Sequence, residues 1–191
     1  MKLGCVIMAA GAGKRFGGGK LLAKLQGKPL YQWALDAVPE GIFNRVTVVT
    51  GEAAIGAAAR QRGFLTVENR QPELGISRTI ALGLQTMETM DGVAFMTADQ
   101  PLLTGTSVRR LAEAFCREPD SIHAVSANGR RGNPCLFPAA FFPALLALEG
   151  DTGGAAVIRQ HPQLLRLTEI PDRELLDADT PEILRNFSKI I

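Results

Sequence analysis

The segment Cys5-Val6-Ile7-Met8-Ala9-Ala10-Gly11-Ala12-Gly13-Lys14-Arg15-Phe16-Gly17-Gly18-Gly19-Lys20 joins an apolar run to a glycine-rich loop that carries two spaced cations, Arg15 and Lys20. Glycine lets backbone N–H groups turn toward an anion with no Cβ in the way. The cations then neutralise what the amides hold, so a polyphosphate suits this loop. Two familiar phosphate loops fail the count. A Walker A loop ending at Gly19-Lys20 would need glycine at Lys14 and a hydroxyl residue at Leu21. A dinucleotide fingerprint counted from Gly11 would need glycine at Phe16. This is a third kind of loop, a phosphate cradle in which Arg15 and Lys20 stabilise charge. A surface loop that merely needs glycine is the alternative.

Carboxylates come next. Asp99 follows the apolar run Val93-Ala94-Phe95-Met96-Thr97-Ala98 and precedes Gln100-Pro101. Mg²⁺ takes one or two carboxylates plus phosphate oxygens, so Asp99 beside the loop reads as a metal ligand; a turn aspartate before proline competes. Asp177-Ala178-Asp179-Thr180-Pro181-Glu182 offers a second carboxylate, although on spacing alone Asp179 or Thr180 reads as the cap of a helix opened by Pro181. Asn69 and Ser77 flank a loop and could read a base or ribose, with turn formation and capping as equal explanations. Asn133-Pro134 and Gly150-Asp151-Thr152-Gly153 read as turns. His123 and His161 read as structural, and there is no G-x-S-x-G elbow or H-E-x-x-H pair.

The elements that must position these groups alternate. Strands are expected at Leu3–Ala9, Arg45–Thr50, Phe64–Glu68, Gly92–Thr97, Ile122–Ala127 and Leu164–Ile170. Helices are expected after Pro29 and at Glu52–Gln61, Ile76–Met90, Ser107–Cys116, Pro138–Leu148, Gly154–Gln160 and Pro181–Asn186. This alternation predicts a three-layer α/β/α sandwich with a mainly parallel, Rossmann-like sheet, folded as one domain over residues 1–191. Ligands in such folds sit at the carboxyl ends of strands, which is where the loop and Asp99 fall. Apolar residues make up 46% of the chain and charged residues 21%, which excludes a disordered chain. A net charge of +2 with scattered cations argues against nucleic acid as a partner. Cys5, Cys116 and Cys135 form no C-x-x-C pair, so zinc and a disulfide framework are not expected. A cytoplasmic protein with no membrane contact fits best.

Taken together, the motifs resemble the MobA-like nucleotidyltransferases. Met8–Leu22 resembles their A-A-G-x-G-x-R-[FM]-G-x-x-K signature, and Gly27-Lys28-Pro29-Leu30 their G-K-P-L continuation. Asp99-Gln100-Pro101 resembles D-Q-P, Asn133-Pro134 the later [HN]-P, Gly150-Asp151-Thr152-Gly153 the G-D-x-G turn, and Asp177–Glu182 the D-x-D-T-P-E segment. Within the family, Ala9-Ala10-Gly11 and D-Q-P are most similar to molybdenum cofactor cytidylyltransferases. Guanylyltransferases resemble L-A-G-G and D-M-P instead. The cytidylyltransferase turn usually reads G-D-[KR]-G-A-R, and here Thr152, Gly154 and Ala155 depart from it.

The resemblance implies transfer of a nucleoside monophosphate, CMP from CTP, onto a phosphate-bearing acceptor of the molybdopterin type, with loss of pyrophosphate. It implies Mg²⁺ on Asp99 and Asp179, with Arg15, Lys20 and Asp99 as the catalytic set. It places the nucleotide on Ala9, Ala10, Gly11, Ala12, Gly13, Arg15 and Lys20, to which the loop reading above adds Asn69 and Ser77 as candidates. A molybdenum hydroxylase is the implied protein partner. Three rivals remain: a sugar- or alditol-phosphate nucleotidyltransferase with the same loop and metal, a non-catalytic accessory protein of molybdenum enzymes, kept open by the altered 150–155 turn, and a P-loop NTPase, against which the failed motif count stands. Pyrophosphate release separates transfer from hydrolysis, and binding without turnover marks the accessory role.

Overall fold

The computed structural model describes residues 1–11, 13 and 16–187. It shows the three-layer α/β/α sandwich expected from the alternation. The central sheet has seven strands, β1 (Leu3–Ala9), β4 (Arg45–Thr50), β5 (Leu65–Glu68), β6 (Gly92–Thr97), β7 (Ile122–Ala127), β8 (Arg130–Pro138) and β9 (Leu165–Glu169), in the order β5-β4-β1-β6-β8-β7-β9. β8 pairs antiparallel to both neighbours, and the remaining pairings are parallel. A two-stranded hairpin, β2 (Lys24–Leu25) with β3 (Lys28–Pro29), stands apart.

β1 is flanked by β4 and β6 and is apolar on both faces, as a doubly covered strand must be. Its period of two sends Leu3, Cys5, Ile7 and Ala9 into one layer and Val6 into the other. The first layer is closed by α1 (Leu30–Asp36), α2 (Ala53–Gln61) and α4 (Gly105–Arg117); the second by α3 (Ile76–Leu84), α5 (Phe142–Leu146) and α6 (Ala155–Gln160). Burying each Leu, Ile or Phe of these stripes stabilises by roughly 1.5–3 kcal/mol. α7 (Pro181–Phe187) drops Leu184 and Phe187 onto Leu25 and Leu30, which ties the end of the chain to the hairpin beside the glycine loop.

Three local expectations are corrected. The helix expected over Ile76–Met90 stops at Leu84, because the Thr86 hydroxyl takes the Gly83 carbonyl at 2.7 Å and Met87 folds back into the core. The helix expected over Pro138–Leu148 is a tight 3-10 turn, Ala139–Phe141, followed by α5, which carries Pro143 in its first turn. Asn133-Pro134 is not a turn but lies within β8, where the register with β7 shifts and the missing proline N–H breaks no ladder pair.

Candidate active site

β1 and β6 both run into the same edge of the sheet, and a cleft of about 510 Å³ lies over their carboxyl ends. Ala10, Gly11, Gly13 and Lys20 border it from the loop after β1, Thr97 and Asp99 from the end of β6, and Asp179 from the segment before α7. Gly13 is at φ +54°, a conformation that suits glycine, and its carbonyl accepts from Phe16 N–H at 2.9 Å and Gly18 N–H at 3.3 Å. Lys20 folds over it: a Cβ on Gly13 would sit 3.1 Å from Lys20 Cβ.

Lys20 Nζ donates to Asp99 Oδ2 at 2.6 Å and to Asp179 Oδ1 at 2.9 Å. Residues 79 and 159 positions away in sequence thus converge on one ammonium. The convergence is built by the backbone, since Ala178 N–H donates to the Asp99 carbonyl at 2.9 Å. Thr180 Oγ1 accepts from Ile183 N–H at 3.2 Å, the bond of a helix N-cap, and the neighbouring Asp179 carboxylate meets Lys20.

Burial alone would lower the Lys20 pKa, but the charges and hydrogen bonds of Asp99 and then Asp179 hold it above its ordinary value. Asp177 joins the cluster with an exposed edge; burial, then the charge of Asp99 and that of Asp179, push it up to about 6 against a hydrogen bond from Gln100 and the pull of Lys20. Three carboxylates therefore surround one described ammonium. Asp99 Oδ1 is enclosed with no hydrogen-bond partner among the described residues. Among the described residues no group of three or more His, Cys, Asp or Glu is placed to hold a metal by itself. Two carboxylates with a vacant lone-pair site suit a hard divalent cation that takes its other ligands from phosphate and water.

Ala9 and Asn69 border a second recess of about 460 Å³ that shares Ala10, Gly11 and Lys20 with the cleft. Asn69 is buried with its amide engaged: Nδ2 donates to Thr79 Oγ1 at 3.2 Å and Oδ1 accepts from Gln71 N–H at 3.0 Å. Ser77 is buried in α3 and lines neither recess; its N–H donates to the Gly150 carbonyl at 3.1 Å. Ala12 and Arg15 lie outside the described residues. His123 bonds the Glu118 carbonyl at 3.0 Å and meets Phe115 edge-on, and His161 meets Phe141, so both are structural. Thr97, Asp151 and Glu73 line the cleft without having been singled out as site residues. Thr97 was legible as the last residue of a buried strand two positions before Asp99. Asp151 sat in a noted turn, and no local pattern marks Glu73.

Residues 5–164 match the MobA-like NTP transferase domain. The chain belongs to that family. Nicotine blue oxidoreductase of Paenarthrobacter nicotinovorans is 30% identical over 93% of this chain and 92% of its own. Purine catabolism protein PucB of Bacillus subtilis is 30% identical over 93% and 91%. The fold is shared with a nucleotidyl transferase from Methanothermobacter thermautotroptrophicus (TM-score 0.82, 19% identity, 99% and 97% coverage). It is also shared with CMP:2-keto-3-deoxy-manno-octonic acid synthetase complexed with CTP (TM-score 0.73, 16% identity, 100% and 98% coverage). A Mycobacterium tuberculosis H37Rv neighbour, Rv0371c, was solved in complex with manganese (TM-score 0.76, 20% identity, 100% coverage of both chains). As a MobA-like chain it has a nucleotidyltransferase-type fold, and among the described residues no helix is long and apolar enough to cross a membrane.

Proposed function

We propose that this protein transfers CMP from CTP to a phosphate-bearing acceptor of the molybdopterin type and releases pyrophosphate. The observation that carries the reading is the Lys20 ammonium set between Asp99 and Asp179 at the mouth of the glycine loop, with Asp99 Oδ1 enclosed and unpartnered among the described residues. A divalent cation, Mg²⁺ in this reading, would be held by Asp99 and Asp179 and would neutralise charge developing on the phosphates. Lys20 serves the α-phosphate, and the loop amides hold the triphosphate. Arg15 is assigned to the β and γ groups from its place in the sequence. Ala9, Ala10 and Gly11 border the base. An acceptor that is already a phosphate needs no strong general base, so positioning and charge neutralisation suffice.

A second reading is that the chain binds nucleotide or cofactor without turnover, as an accessory to a molybdenum hydroxylase. Two observations favour it: the relatives matched over more than nine-tenths of both chains are named an oxidoreductase and a purine catabolism protein rather than transferases, and Thr152 and Ala155 stand where the resembled turn has cations. Pyrophosphate release across the four NTPs, with and without a molybdopterin-type acceptor, decides. Release with CTP that depends on acceptor and on Mg²⁺ supports transfer. Tight Mg·CTP binding with no pyrophosphate supports the accessory role, and release of orthophosphate overturns both.

A further inference from the structure

A separate cavity of about 230 Å³ opens beside the cleft, and the two share Met8 and Ile76, so one ligand can extend from one into the other. Strand β8 builds its floor. Because β8 runs against β6 and β7, its first residues reach the edge of the sheet where β1 and β6 end. Every second residue, Arg131, Asn133, Cys135 and Phe137, lines the cavity. Polarity therefore grades along the strand, from a guanidinium at the cleft end to an aromatic ring at the far end. The remaining wall is mainly apolar, with Ile80, Phe95 and Leu145.

Cys135 does no ionic chemistry here. Burial pushes its thiol up to about 12 against a smaller pull from Arg131, and Sγ faces the Gly132 carbonyl at 3.3 Å. Arg131 is different. Its side chain lines the cavity, and its enclosed Nη1 has no hydrogen-bond partner among the described residues, a costly state that a ligand oxygen met by a small shift of the guanidinium would relieve. Among the described residues it is also the one cation in the cavity lining. The opposite wall is the 150–155 turn. A Cβ on Gly154 would stand 2.8 Å from Phe137 Cζ, so glycine lets the turn lie on that ring, and Ala155 presents only a methyl group. The cavity thus combines flat apolar walls with a single unsatisfied guanidinium nitrogen.

We infer that this cavity seats the body of the acceptor: a mainly apolar ring system bearing an anionic oxygen group, carboxylate or phosphate, to which Arg131 donates, with the phosphate that reacts at the cleft end. Arg131 is then the residue that sets acceptor choice. That the seated molecule is the acceptor rests on the transferase reading above; the binding chemistry of the cavity does not.

The test is an amide chemical-shift titration of the full chain with 2-naphthoate, 2-naphthyl phosphate and the uncharged 2-naphthamide. At least one anion should saturate, with shifts at Gly132, Gly153 and Gly154, and the anion pair reveals which group the cavity takes. The amide should bind roughly tenfold to a hundredfold more weakly, the worth of a charge-assisted hydrogen bond. Arg131→Gln should erase the preference for the anion, and Arg131→Lys should keep part of it, since a point charge replaces a planar fork. Equal binding of all three probes, unaltered anion binding by folded Arg131→Gln, or shifts confined to Gly11 and Gly13 overturns the proposal. Mg·CTP titrated into the same sample and read at Gly11 and Gly13 keeps the two readings apart. Naphthoate binding without CTP binding sinks the nucleotide assignment alone, and the converse sinks the cavity assignment alone.

Discussion

Lys20→Met tests the site through its central contact. Methionine keeps much of the stem and removes the ammonium. The side chain is only 12% exposed, whereas Asp99 and Asp179 are 24% and 30% exposed. A hydrogen bond to a charged group contributes about 1.5–3 kcal/mol, but water can reach both carboxylates, so the net loss of stability should be about 1–2 kcal/mol. For a chain of this length that lowers Tm by about 2–8 °C. The Lys20 pKa is raised in the fold, so its contribution is fully present below its ordinary value of 10.5 and is lost as pH rises through the folded value. An assay near neutral pH therefore sees all of it. Turnover should fall further, because a charge contact made in the transition state is worth roughly 3 kcal/mol, or about a hundredfold in kcat.

The same variant separates a site lysine from a packing lysine. With the ammonium gone, Asp99 Oδ2 and Asp179 Oδ1 lose the hydrogen bonds that Lys20 donates, and a divalent cation no longer competes with that ammonium. Millimolar Mg²⁺ or Mn²⁺ should raise the Tm of Lys20→Met by more than it raises that of the wild type. The measurements are pyrophosphate release under saturating CTP and thermal melts with and without metal. Unchanged kcat, or a Tm loss that metal does not recover, would refute the assignment and leave Lys20 as a structural bridge.

Asp99→Asn should abolish Mg²⁺-dependent pyrophosphate release by several orders of magnitude with the fold intact by circular dichroism, and Asp179→Asn should cost less; wild-type turnover in Asp99→Asn sinks the metal assignment. Ala10 borders both the cleft and the neighbouring recess, so its methyl group should favour the smaller pyrimidine by about 1–3 kcal/mol, and Ala10→Gly should narrow the CTP-over-GTP ratio of kcat/KM. Gly75 is at φ +89°, and a Cβ there would meet the Gly150 carbonyl carbon at 2.3 Å, so Gly75→Ala should cost at least about 1–3 kcal/mol in melts and raise KM for CTP by moving the Asp151 turn. Burial lowers the His123 pKa, outweighing the Glu118 contact that raises it, so the unfolded chain binds the proton first and stability should fall as pH drops below 6.5. His123→Phe should flatten that part of the Tm–pH curve relative to the wild type, and parallel curves would count against the burial account.

The strands buried on both faces were legible in the sequence because their pattern is one-dimensional. Leu3–Ala9, Arg45–Thr50, Gly92–Thr97 and Ile122–Ala127 are continuous apolar or β-branched runs, and the structure begins and ends them at the same residues. β8 was hidden because it opens with Arg130 and Arg131 and carries Asn133-Pro134, a string that reads as a turn. Its polar residues face a cavity rather than a core, which no local periodicity announces. The site shows the same division. The sequence suggests that Lys20 and Asp99 share an edge, since each follows a strand end. That Asp179 closes on the same ammonium depends on the Ala178–Asp99 backbone bond, a contact between segments 79 residues apart that spacing does not encode. The loop 69–77 shows the limit of local reading: for Asn69 and Ser77 the functional and structural explanations are equal, and the structure engages the Asn69 amide with Gln71 and Thr79 and the Ser77 backbone N–H with Gly150.

The charge balance of the cleft links its two halves. Lys20 is held by Asp99 and Asp179, with Asp177 adding a third carboxylate. In the proposed reading, Asp99 and Asp179 would hold a divalent cation carried in on the phosphates, and Lys20 would then be released to the phosphates; the cation would supply the charge on the carboxylates that the ammonium now supplies. The adjoining cavity works by a different balance. Arg131 Nη1 has no hydrogen-bond partner among the described residues, so bonding an anionic group there would cost that nitrogen no existing hydrogen bond. Nucleotide binding should therefore respond steeply to divalent cation concentration, and occupation of the Arg131 cavity should not.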